Sequence, residues 1–73
     1  MGQEFFEYVV SVVDDGHHRH LADFARLRPA IAAARMALNR KTVTLAVVKN
    51  GEGVMVFAAD PSKEWQGEVV PIG

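Results

Sequence analysis

The sequence predicts an α+β domain: a small antiparallel sheet of three to four strands with one main helix packed on one face, in the order β-(β)-α-β-β, followed by an irregular C-terminal tail. Three features carry this reading. An aromatic and β-branched run lies near the N-terminus, one Ala-rich stretch has apolar residues at helical spacing, and two short apolar runs flank an Asn-Gly pair. With 73 residues and no internal repeat or Gly/Ser linker, residues 1–73 read as a single domain. A chain of this size buries only about 60% of the surface it exposes when unfolded, so its core is thin.

Phe5 to Val13 reads as the first strand, with Phe6, Tyr8, Val10 and Val12 on one face and Phe5, Val9 and Val13 on the other. Asp14, Asp15 and Gly16 close it, because Asp-Gly suits the positive φ angles of a type I′ hairpin. A hairpin here makes His17 to Ala22 a second strand. The weak β pattern of His18, Arg19 and His20 equally suits a loop or the start of a helix.

Phe24, Leu27, Ile31, Ala34 and Leu38 form one apolar stripe at spacings of three and four. Pro29 costs about 3 kcal/mol inside a helix and little in its first turn, so the main helix is placed from near Pro29 to Asn39–Lys41. Asp23 to Arg28 then form a separate short turn.

Thr42 to Lys49 and Val54 to Ala59 read as strands joined at Asn50-Gly51. A two-residue turn there pairs Lys49 with Glu52, Val47 with Val54, Leu45 with Val56 and Val43 with Ala58. These apolar pairs make a natural floor for the helix. Asp60-Pro61-Ser62 ends the strand, Lys63 to Gln66 read as one helical turn, and Glu68 to Ile72 as an edge strand or extended tail in which Pro71 argues against a central position.

On this register the second sheet face carries Phe5, Val9, Val13, Ala46, Val48, Met55 and Phe57, too apolar for plain solvent exposure. Two fates are open to it. The C-terminal segment with Trp65, Val69, Val70 and Ile72 could fold back over it, or it could meet another protein or a second copy. In the second case Phe5, Val9, Met55, Phe57 and Trp65 are the candidate partner-binding residues, since aromatics and Met concentrate binding energy.

The net charge of −1 hides segregation: residues 1–16 carry −4, residues 17–41 carry +5 and residues 42–73 carry −2. Arg19, Arg26, Arg28, Arg35, Arg40 and Lys41 form the basic middle. A solvated helix face with cations at its C-terminal end explains this pattern. A surface for nucleic acid or for an acidic protein patch is the sharper alternative, although a pI near 6.3 and the lack of interleaved aromatics weigh against nucleic acid.

His17, His18 and His20 are the only histidines, and two of them on one side of a strand do not make a metal site. No metal is assigned; weak metal or pH sensing at this cluster stands as a third alternative. Without cysteine the chain has no thiol nucleophile, disulfide or thiolate zinc site. Ser11 and Ser62 have no histidine at a motif spacing, and no phosphate-binding Gly-rich loop occurs, so no catalytic residue, cofactor or enzymatic activity is expected. No apolar stretch approaches the about 18 residues of a membrane span, and the acidic start at Gln3 and Glu4 is unlike a secretory leader. A cytoplasmic location is expected.

These observations predict a non-catalytic protein-binding module, an accessory or inhibitor that docks on a larger partner or forms a homodimer. In its size and its lack of catalytic residues the chain resembles the small host-takeover proteins of phages, anti-CRISPR inhibitors among them. That resemblance implies action by steric occlusion, with apolar anchors for affinity and segregated charge for orientation.

Overall fold

The computed structural model describes residues 7–66. One helix packs against a five-stranded antiparallel sheet, in the order β1 (Tyr8–Asp14), β2 (His17–Phe24), α1 (Leu27–Ala37), β3 (Val43–Asn50), β4 (Met55–Ala59) and β5 (Glu64–Gln66). The strands lie side by side as β2-β1-β3-β4-β5. The predicted class and element order hold, with one more strand than expected.

The first hairpin forms as the Asp-Gly pair dictates. Asp15 has φ of 57° and Gly16 of 81°, and Asp14 faces His17 across the turn. The uncertain segment after it is a full strand reaching Phe24, so Asp23 and Phe24 belong to the sheet and not to a separate turn. Between Val10 and Ser11 the register shifts and leaves Leu21 as the extra residue of a bulge.

α1 begins at Leu27, two residues before the predicted start, with Arg26 in extended conformation at its N-cap. Pro29 is therefore the third helical residue, where its missing N–H would have had no intrahelical partner. Beyond Ala37 the chain tightens through N–H groups of Leu38, Asn39 and Arg40 that donate three residues back, to Arg35, Met36 and Ala37. The turn returns it to the sheet at Val43.

The second hairpin departs from its predicted two-residue turn. The Asn50 N–H donates to the Val54 carbonyl at 2.8 Å, the Asn50 carbonyl accepts from Gly53 N–H at 2.9 Å, and Gly53 adopts φ of 81°. This is a three-residue loop closed by a left-handed glycine. Asn50 precedes the turn instead of sitting in it, and its Oδ1 accepts the N–H groups of Glu52 and Val54. Together with a bulge at Val48/Lys49, the longer loop pairs Val48 with Phe57, Val47 with Ala58 and Ala46 with Ala59.

The helix covers the opposite side of β3 and β4 from the one predicted. Val10, Val12, Ala46, Val48, Phe57 and Ala59 form the core with Ala30 and Ala34 of α1, each no more than 4% exposed. The reason is steric: Ala30 and Ala34 come down over Ala46 and Ala59, and Phe57 fills the volume that these small residues leave beside them. Phe57 is thus corrected from a binding anchor to the largest fully buried side chain. Lys63 to Gln66 is corrected too, since Glu64–Gln66 pairs with β4 as a strand where a helical turn was expected. The readings for Phe5, Phe6 and Glu68 to Ile72 lie outside the described residues.

Two substitutions test this packing by denaturant titration. Phe57→Ala is expected to cost about 3–5 kcal/mol, the range for emptying a buried aromatic site. Gly53→Val is expected to cost about 1–2 kcal/mol through left-handed strain alone; a neutral result would contradict the three-residue loop.

Candidate functional site: the open sheet face

Side chains alternate along a strand, so placing Val10, Val12, Ala46, Val48 and Phe57 under α1 sends their neighbours to the other side. That side carries Val9, Ser11 and Val13 of β1, Leu45, Val47 and Lys49 of β3, Ala58 of β4 and Trp65 of β5, as the cross-strand pairs Val13–Leu45, Ser11–Val47, Val47–Ala58 and Ala58–Trp65 require. No described element covers it. Val9, Val13, Leu45 and Val47 are half-buried by one another, while Trp65 is 50% and Met55 39% exposed. A shallow groove of about 290 Å³ runs across it between His18, His20, Val13, Leu45, Val47 and Met55.

Of the predicted partner-binding residues, the structure brings Val9, Met55 and Trp65 to this face, removes Phe57 to the core and leaves Phe5 outside the described residues. Leu45 and Val47 are its central residues, and the sequence reading had assigned them to the helix side. The pairing of small with small, Ala30 and Ala34 against Ala46 and Ala59, is the signal that could have found them.

The basic residues do not form one patch. Arg19 lies in β2, Arg26 caps α1, Arg28 stands in its first turn and Arg35 in its last, and Arg40 and Lys41 follow it. Two of them have acidic neighbours: Arg40 approaches Asp14 at 4.0 Å, and Arg35 grips Glu64 with two hydrogen bonds of 2.8 and 2.9 Å. The Arg35 guanidinium also sits over the Phe57 ring, 5.7 Å from its centre. This fork clamps the short edge strand β5 to the helix and so positions Trp65 on the opposite face.

Charge-assisted bonding to Arg35 holds the Glu64 carboxyl below its ordinary value of 4.5. Asp60 is likewise lowered, because its Oδ1 accepts the N–H groups of Lys63 and Ser62 at the turn into β5. His20 Nε2 lies 2.7 Å from Asp23 Oδ1, across the bulge. Among the described residues no three ligand-type side chains converge, so nothing favours the metal-sensing alternative. Nor is any described helix long and apolar enough to cross a membrane. Comparison with protein-family models, curated proteins and solved structures gave no match.

The lowered carboxyls give β5 an acid sensitivity of definite sign. Both groups bind protons more weakly when folded, so their stabilisation is present above their ordinary values of 4.5 and 3.8 and is lost as pH falls through the lower folded values. Trp65 fluorescence is expected to shift toward that of a fully hydrated indole as pH drops below about 4.5. Glu64→Gln should flatten the Glu64 part of that transition; an unchanged curve would mean that the clamp does not hold β5.

Proposed function

We propose that the protein is a non-catalytic protein-binding module whose open sheet face packs against the same face of a second copy. The observation that carries this reading is β3, which is apolar on both sides from Leu45 to Val48 while α1 covers only one. Strands buried on both faces have such continuous apolar runs, whereas strands with one wetted face alternate. Val9, Val13, Leu45 and Val47 with Ser11 between them form the kind of aliphatic layer found inside a two-sheet sandwich.

The dimensions suit a pair of sheets. Five strands spaced about 4.8 Å, each about 20 Å long, present on the order of 500–700 Å² per protomer, near the lower end of stable specific interfaces. Trp65 and Met55 stand at the margin of this layer, where aromatic and thioether side chains contribute most per contact. Paired faces would leave α1 and the edge of β2 on the outside, free to occlude a larger partner by bulk. The described residues contain no nucleophile–base pair and no buried polar side chain without a partner, which is consistent with a role in binding.

Light scattering on the full chain as it elutes from a sizing column tests the reading. The expected mass is twice the 8.0 kDa of one chain, falling toward 8.0 kDa on dilution or in Val47→Asp. A wild-type protein that stays at 8.0 kDa at every concentration would overturn it.

A further inference from the structure

At the opposite side of the molecule from β5, β2 is an edge strand of eight residues that pairs with β1 and with no other described strand. One row of its backbone N–H and C=O groups is therefore open to a further strand. Beside this edge, between β2 and α1, lies a groove of about 270 Å³ lined by Val12, Leu21, Ala33, Met36, Ala37 and Arg40. Leu21 is 42% and Met36 68% exposed. Leu21 is there because of the bulge, which takes it out of the ladder and turns it into the groove.

We propose that the β2 edge and this groove together bind an extended acidic peptide, which adds a sixth strand and seats one apolar side chain against Leu21 and Met36. Charge selects the occupant. His17, His18, Arg19 and His20 run consecutively along the exposed edge, the register puts Arg19 on the α1 side with Val12, and Arg40 faces the same groove. Asp23, near the far end, is taken up by His20, and Asp14 lies 4.0 Å from Arg40 at the turn. A second copy of β2 is a poor partner, since antiparallel self-pairing sets this basic run against itself. Backbone pairing supplies affinity, and the apolar seat with flanking carboxylates supplies selectivity.

This site is independent of the open face, and its test reads neither mass nor dimerisation. The full-length protein is titrated into a fluorescein-labelled peptide carrying one central Leu among alternating Glu and Thr, and anisotropy is followed. Saturable binding is expected, weakened about tenfold or more when alternate backbone amides of the peptide are N-methylated, which blocks strand addition without changing charge. Replacing Glu by Lys in the peptide should abolish binding, and Leu21→Asp in the protein should weaken it by a similar factor with the circular dichroism spectrum unchanged. Absence of saturation, indifference to N-methylation, or equal binding of a single-stranded oligonucleotide of similar charge would each overturn the proposal; the last would mark a polyanion surface. The N-methylated peptide is read against the wild-type protein, so the test stands even if the variant fails to fold.

Discussion

The close seating of an alanine face of α1 on an alanine-lined strip of the sheet is the constraint on which the rest of the molecule depends. Ala30 and Ala34 meet Ala46 and Ala59, and this approach leaves a space that Phe57 fills. One helix of eleven residues can cover no more than one side of five strands. Everything on the reverse side, from Val9 to Trp65, follows from which face the helix has taken. A larger residue at Ala34 or Ala46 would lift the helix and disturb Phe57 before it touched the surface chemistry.

The clamp between Arg35 and Glu64 extends this arrangement to the edge. β5 has three residues, too few to be stable on ladder bonds alone, and the guanidinium fork ties it to α1 across the sheet margin. The same guanidinium lies over Phe57, so the core aromatic and the edge strand share one cation. Trp65 is presented on the open face because Glu64, its neighbour in the strand, is held on the other.

Much of the architecture is legible in the residues. Asp15-Gly16 fixes the first hairpin because its backbone needs positive φ, and the stripe through Leu27, Ile31 and Ala34 marks the helix because a period near 3.6 has no other use. The face of β3 and β4 that meets the helix was not legible: both faces are apolar, so periodicity cannot rank them, and the deciding factor is steric fit between alanines distant in sequence. For the same reason Phe57 reads as an anchor by residue type and proves to be core by position. The Asn50-Gly51 pair misled differently. Asn50 can serve as the residue before a turn, through its side-chain acceptor, as readily as within one, and Gly53 two residues on allows the longer loop. Strand β5 has no strong β signal of its own and depends on a contact 29 residues away, between Arg35 and Glu64.

The central claim is that the open face, and not the helix, meets the second copy. It is tested most directly by isotope-filtered nuclear Overhauser measurements on a mixture of labelled and unlabelled full-length chains. The account predicts intermolecular contacts among the methyl groups of Val9, Val13, Leu45 and Val47 and the Trp65 ring, with none from Val10, Val48 or Phe57. Intermolecular contacts confined to α1, or none at concentrations where the chain is otherwise well ordered, would contradict it.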